Sequence, residues 1–430
     1  MSSLMPIREK PSLSPLKSGD VLVLFGELFT RGYANGLVEE AQSRGMTIIR
    51  STVGRREKDL TLRALNAEEE AQVPKPFINV PLEAGFDLEV LKDGSRIVDH
   101  LKDVKLNDWE KASISADMIA EAKESGRNRF RENVRTWVEQ VTPHVTGRNI
   151  VFAHLMAGGV PRTKIVMPLM NRVFKGSGDR FIASEPFWNS GIGQLCAESF
   201  NEVTAYTFQI LLEETAALRE KSIQNGHHVS YVGYGYHGTE IYIENELKWQ
   251  TYAPYLQGFA KIELEKISTE FFKKGVATCI YNCPEILTNS SSIFQGVEVP
   301  LYPLLRALEK NANPEAYQKI ASECLAKLKD GESIENILRV AYRFLTSPEA
   351  KAVMEFSAWP QHSNQVQLES MLQTSDQLIS MQKSEKDLIT SLLSEVVFKS
   401  CGYVMLHDSW APRAPVQWVG HDVVAKAYSP

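Results

Sequence analysis

Short apolar runs alternate with longer amphipathic stretches over the first two thirds of the chain, and this alternation carries the fold prediction. Asp20-Val21-Leu22-Val23-Leu24-Phe25 is continuously apolar after its acid, as expected of a strand buried on both faces of a parallel sheet. A turn from Gly26 to Gly36 leads into a helical stretch, Leu37 to Ala41, that stops at Gly45, and Met46 to Arg50 is the next apolar strand. The unit is a βαβ of about thirty residues, the size of a mononucleotide-binding half. Asn79-Val80-Pro81 closes a third strand, and helical stretches follow at Trp109 to Ala122 and Arg127 to Val141. Further strands are predicted at Arg148 to His154, His228 to Gly233 and Val276 to Tyr281, with helices at 191–221 and Gly258 to Lys273 between them. Strand and helix in regular succession predict an α/β fold, a Rossmann-type doubly wound parallel sheet. Leu301 to Leu345 and Ser375 to Phe398 are helical without intervening strands and read as a cap or lid over about residues 300–400. Gly402 to His407 reads as a late strand returning to the sheet edge. The boundaries predicted are a flexible tail at 1–19, one large domain at 20–410 and a C-terminal segment at 411–430.

Composition narrows the class. A chain of 430 residues, 43% hydrophobic and 23% charged, is neither disordered nor fibrous and can bury a full core without staples. A net charge of -6 exerts no general pull on nucleic acid or anionic membrane, which points to a small-molecule protein. The five scattered cysteines form no CxxC pair and read as reduced core thiols, and no metal set is visible. No run approaches the roughly 18 uncharged apolar residues of a membrane span, and the N-terminus has no leader-like apolar run, so cytoplasmic residence is expected. A homo-oligomer is left open.

Four groups of residues suggest chemistry. Gly26, Gly32 and Gly36 would let backbone amides approach a pyrophosphate at a helix N-terminus, although their spacing is not GxGxxG and a turn that merely needs glycine explains them too. After the second strand, Arg50, Arg55 and Arg56 stand with Ser51 and Thr52 and no carboxylate before Glu57. That set would clamp a ribose 2′-phosphate, which favours NADP (as NADPH) over NAD, the alternative being a solvated basic loop. Gly158, in the loop after Arg148 to His154, lies where α/β folds place ligands. Tyr252 precedes Lys261 by nine residues, and an ammonium beside a phenol lowers the phenol's pKa toward use as a proton donor.

Ser230-Tyr231-Val232-Gly233, then Tyr252 with eight residues to Lys261 inside Gly258-Phe259-Ala260-Lys261, resembles the short-chain dehydrogenase superfamily. It is most similar to the V-type enoyl-ACP reductases and trans-2-enoyl-CoA reductases. Pro284 to Ser291 resembles their TQAS segment and Val299 to Leu305 their VMPLY segment. The resemblance implies reduction of an α,β-unsaturated acyl thioester, with CoA or acyl carrier protein as the carrier. It implies Tyr252 as proton donor or enolate stabiliser, Lys261 on the nicotinamide ribose, Tyr231 at the thioester carbonyl, and Ile286 and Thr288 beside the nicotinamide amide and phosphates. The chain departs from the pattern in its looser glycine turn, in lacking the acid after strand two, and in the eighteen residues Tyr234 to Thr251. Tyr255 rivals Tyr252 as the acid. Two other readings stand beside the reductase: a carbonyl reductase using Ser230, Tyr252 and Lys261, and a silent nucleotide-binding scaffold.

Overall fold

The computed structural model describes residues 4–235, 237–250, 256–288, 295–352 and 363–429. Twelve strands are present among them: β1 Leu4–Ile7, β2 Val21–Phe25, β3 Thr47–Thr52, β4 Arg55–Arg56, β5 Leu62–Arg63, β6 Phe77–Pro81, β7 Ile150–His154, β8 Val229–Gly235, β9 Thr239–Ile243, β10 Glu246–Gln250, β11 Ala277–Asn282 and β12 Val416–Val419. Eight form one sheet in the order β1-β12-β11-β8-β7-β2-β3-β6, and every neighbouring pair is parallel. This is the doubly wound α/β sheet the alternation predicts. The order reverses between β2 and β7, and α/β folds bind ligands outside the carboxyl ends of the strands at such a point.

Both faces of the sheet are covered, which is why its central strands read as largely apolar runs. On one face Leu22, Leu24, Val151, Ala153, Val232 and Tyr281 pack into a core with Leu37 and the C-terminal helices. On the other, Val21, Val23, Phe25, Phe152, Tyr231 and Ile280 pack against the long helix Ala116–Val145 and against Leu264 and Ile267 of the helix Leu256–Lys273. Successive residues of each strand thus serve opposite cores, as the period of two requires.

Three local expectations are corrected. Gly402 to His407 is not a strand but the last turns of the helix Ile389–Asp408, whose buried residues lie all around its axis, so no polar face marks its period. It is long and apolar enough to cross a membrane, yet 67% of its most apolar window is buried inside the protein, as befits a core helix. The stretch read as a tail contributes β1, which pairs with β12 at the far edge in the register Leu4 to Val416 through Ile7 to Val419. The helix expected over 191–221 is broken into Gly191–Asn201, a π-turn Glu202–Tyr206 and Thr207–Glu214, with a further helix from Ala216. The insertion Tyr234 to Thr251 contains the hairpin β9–β10, which packs against the helices Leu304–Asn311 and His421–Ala427 and against β12.

Gly36 and Gly402 let two helices touch. A Cβ on Gly36 of the helix Tyr33–Ser43 would lie 1.8 Å from the Phe398 carbonyl oxygen, and one on Gly402 would lie 2.1 Å from the Gly36 carbonyl carbon. Gly36, expected at the cofactor turn, is therefore a packing glycine.

Candidate active site

The carboxyl ends of β2 and β7 flank the reversal point, and each is followed by a turn built for close approach. Gly26 has φ +116, and a Cβ there would meet the Met156 sulfur at 3.0 Å and Leu155 Cβ at 3.2 Å. The turn leads to Gly32, the extended N-cap of the helix Tyr33–Ser43, with no side-chain cap hydrogen bond and no acid in the first turn. A helix start left uncapped by side chains, at the mouth of the crevice, suits the pyrophosphate of a dinucleotide. Gly158, in the loop after β7, has φ +98, and its carbonyl accepts from the Thr204 hydroxyl at 3.0 Å.

The arginine cluster is wired differently from its expected use. Arg55 donates through both terminal nitrogens to Glu27, at 3.0 and 2.9 Å. Arg56 donates to Glu83 at 2.6 Å and to the Leu60 carbonyl at 2.7 Å, and only 10% of its side chain is exposed. Arg50 is half-buried on β3, where burial depresses its pKa. Two of the three arginines thus already neutralise carboxylates, so the expected 2′-phosphate clamp is not present as a set of free cations.

Lys261 is the most unusual group in the crevice region. It sits on the second turn of the helix Leu256–Lys273, is 2% exposed, and burial pushes its pKa down to about 7 against the opposing pull of Glu265. Glu265, one turn on, accepts from the Asn282 side chain at 2.9 Å and lies 2.7 Å from Nδ1 of His237. The His237 backbone N–H donates to the Asn282 side-chain oxygen at 2.6 Å. Asn282 ends β11 and His237 follows β8, so two strand ends and a helix converge on Glu265. On the other side, His154 closes β7, fully buried, and burial and the Lys261 charge hold its imidazole well below its usual range. The Thr207 hydroxyl donates to the Val203 carbonyl at 2.8 Å, so its oxygen accepts from Nε2–H of His154 at 2.8 Å. That fixes the neutral tautomer with its free lone pair on Nδ1.

The strand residues expected at the site are not there. Tyr231 faces the core, its ring stacked on Phe152 at 5.1 Å, with its hydroxyl 2.8 Å from Thr215 Oγ1 and accepting from Arg219 at 3.0 Å. Ser230 is the second residue of β8, buried, about 16 Å of strand from the carboxyl end. The resemblance implies Tyr231 at the thioester carbonyl, and the carbonyl-reductase alternative places Ser230 at the substrate carbonyl, on a strand expected to turn at Gly233, whereas β8 runs on to Gly235. Tyr234 lies near that end, stacked on Tyr33 at 5.5 Å, and its buried hydroxyl has no partner among the described residues. Ile286 is fully buried and Thr288 half-buried in the segment after β11, held where the Pro284 carbonyl accepts from the Tyr33 hydroxyl at 2.5 Å and Leu287 N–H donates to Ser394 at 2.9 Å. Tyr252 and Tyr255 lie outside the described residues.

Sequence reasoning missed Glu27, Thr207, His237, Glu265 and Asn282. Only Glu265 left a signal, its spacing of four from Lys261 on one helix face. Among the described residues no cluster of three or more His, Cys, Asp or Glu could hold a metal, and all five cysteines are buried and none forms a disulfide.

Comparison with known proteins decides the family. The family model for enoyl-acyl carrier protein reductase FabMG matches residues 3–428. The chain belongs to that family. A solved relative described as the apo structure of FabMG, a novel type of enoyl-acyl carrier protein reductase, is 42% identical over 99% of this chain and 98% of its own, with a TM-score of 0.95. A second, described as the NADH bound structure of FabMG, is 37% identical over 99% of both chains, with a TM-score of 0.79. No curated protein matches the chain. It is an NAD(P)H-dependent oxidoreductase of the enoyl-reductase type, in an α/β Rossmann-like fold.

Proposed function

We propose that this enzyme uses NADH to reduce the α,β double bond of an enoyl group carried on acyl carrier protein. The bound nicotinamide supplies a hydride to the β-carbon. The chain's own residues bind the dinucleotide, orient it, and manage the charge that develops on the thioester oxygen. The buried Lys261 at the convergence of β7, β8 and β11 is the observation that carries the reading, since an ammonium placed there can hold a ribose hydroxyl and lower the pKa of a neighbouring phenol. Tyr252, nine residues earlier, is assigned as that phenol, donating to the developing enolate, with Tyr255 as its rival. Of the strand tyrosines, Tyr231 is committed to Thr215 and Arg219, and Tyr234, nearer the strand's end, has its hydroxyl buried beside the Cys283 and Cys401 thiols, so the acyl thioester is assigned to neither. Gly26, Gly32 and Gly158 are assigned to the backbone lining of the dinucleotide, and Ile286 and Thr288 to the wall beside the nicotinamide.

Two observations support NADH over the NADPH expected from the arginines. Arg55 and Arg56 are paired with carboxylates, and one relative is described with NADH bound. The carbonyl-reductase reading needs the Ser230 hydroxyl at the carbonyl, and Ser230 stands at the amino end of its strand.

The test is NADH oxidation with a trans-2-enoyl thioester on acyl carrier protein and on CoA, for the wild type, Tyr252→Phe and Tyr255→Phe. Turnover that is faster on the carrier protein and falls at least 100-fold in Tyr252→Phe alone is expected. A 3-ketoacyl thioester turned over in place of the enoyl one would refute the assignment.

A further inference from the structure

The adenosine ribose of a dinucleotide lies beside the end of the second strand of its nucleotide-binding half, and an acid there bonds the 2′-hydroxyl. In this chain the second strand is β3, and the residues after it, Val53-Gly54-Arg55-Arg56, contain no acid. The fold brings one from the other loop. Glu27 follows Gly26 directly, and its carboxylate reaches across to the end of β3. One oxygen accepts from the Thr52 hydroxyl at 2.8 Å, from the Val53 N–H at 3.2 Å and from Arg55 at 3.0 Å; the other accepts from Arg55 at 2.9 Å. Thr52 is fixed in turn, its oxygen accepting from the Gly54 N–H at 3.0 Å. These bonds outweigh partial burial and hold the Glu27 carboxyl below its usual range, so it is ionised at neutral pH.

The arrangement is oriented. A carboxylate has about four acceptor positions. Those positions are two on each oxygen: three donors share the two on one oxygen of Glu27, and a single donor takes one of the two on the other, which leaves a lone pair on the second oxygen for a further donor. Arg55 lies on the outer side of the pair, 40% exposed against 19% for Glu27. A hydroxyl can donate to the remaining lone pair, whereas a phosphate there would meet a fixed negative charge already holding the nearest guanidinium.

We propose that Glu27 is the specificity-determining residue for the dinucleotide, accepting the ribose 2′-hydroxyl and excluding a 2′-phosphate. The inference rests on the NADH reading above and adds the residue that enforces it. The fixed carboxylate comes from the first strand's turn and not from the second strand's loop, which is why the sequence after β3 looks like an NADP site.

The test is binding by the full chain, read from the quenching of its tryptophans by NADH and NADPH and by calorimetry with ADP-ribose and 2′-phospho-ADP-ribose, none of which requires turnover. The wild type should favour NADH and ADP-ribose at least tenfold over their phosphorylated counterparts. Glu27→Gln should lower that preference at least tenfold, mainly by tightening the phosphorylated ligands. Glu27→Asp, which keeps the charge but withdraws it, guards against a folding defect in the first variant: it should weaken NADH several-fold while still rejecting NADPH. An unchanged preference in a folded Glu27→Gln, or unchanged affinities in Glu27→Asp, overturns the inference and leaves the NADH reading standing. A wild type that binds neither dinucleotide overturns the cofactor reading and this inference with it.

Discussion

Replacing Lys261 by Met keeps the approximate length of the side chain and removes its charge, so it tests the cost of burying an ammonium. The folded-state pKa is about 7, against an ordinary 10.5, with burial as the cause. Between these values the unfolded chain holds a proton that the folded protein has released. Stability of the wild type therefore rises with pH across that window, by at most about 1.4 kcal/mol per pH unit for the single proton. Below pH 7 both states are protonated and the whole desolvation cost stands, with a ceiling of roughly 5 kcal/mol over the full interval. Glu265 stays bonded to Asn282 and His237 when the lysine is gone, so no bare carboxylate is created. Lys261→Met should thus be more stable than the wild type at pH 6, by about 1–3 kcal/mol, should lose the rise between pH 7 and 9, and should have no measurable turnover. Urea unfolding at pH 6, 7, 8 and 9 reads all but the last. A variant less stable than the wild type at pH 6, or one that keeps the same pH slope, refutes the reasoning. The trade is the one expected where function strains a site.

Tyr231→Phe removes a hydroxyl bonded to Thr215 and Arg219 in the core, so it should cost about 1–2 kcal/mol in urea unfolding while turnover stays within about twofold; a collapse of turnover at unchanged stability would return Tyr231 to the site. Gly36→Ala should destabilise by about 1–3 kcal/mol or more, because its Cβ would overlap the Phe398 carbonyl, whereas Gly32→Ala, whose Cβ meets only the Asn35 amide at 4.0 Å, should leave stability unchanged. Equal effects of the two glycine variants on thermal unfolding would contradict the packing role of Gly36. Glu285 is fully buried after β11, and burial raises its pKa to about 8, so the folded state holds a proton the unfolded state has lost between pH 4.5 and 8. Wild-type stability should fall through that window, and melting of Glu285→Gln from pH 5 to 9 should show the fall removed.

The sheet was legible because a strand buried on both faces is largely apolar, as β2 is throughout and as β3, β7, β8 and β11 are over part of their length. The same rule misled at Gly402 to His407, since a helix buried on all sides is equally apolar, and length alone separates the two. β1 was illegible because Leu4 to Ile7, four residues at the start of the stretch read as a tail, are too few to show a period. Lys261 was singled out through its motif, but its setting was not legible: Glu265, His237 and Asn282 come from a helix and two strand ends, which no spacing in the sequence connects. The arginines after β3 were misread for a related reason, because the carboxylate that neutralises Arg55 lies 28 residues earlier. Tyr231 was assigned by motif position, and only the continuation of β8 to Gly235 shows that the strand passes the site three residues later.

The central claim is hydride delivery to the β-carbon of an enoyl thioester, and isotope transfer tests it most directly. The enzyme would be given NADH deuterated at the transferable position of the nicotinamide and a trans-2-enoyl group on acyl carrier protein, and the saturated product analysed by mass spectrometry. The account predicts one deuterium at the β-carbon and a solvent proton at the α-carbon, with both absent in Lys261→Met. Deuterium on a hydroxyl-bearing carbon of a 3-ketoacyl substrate, with the enoyl group left intact, would contradict it.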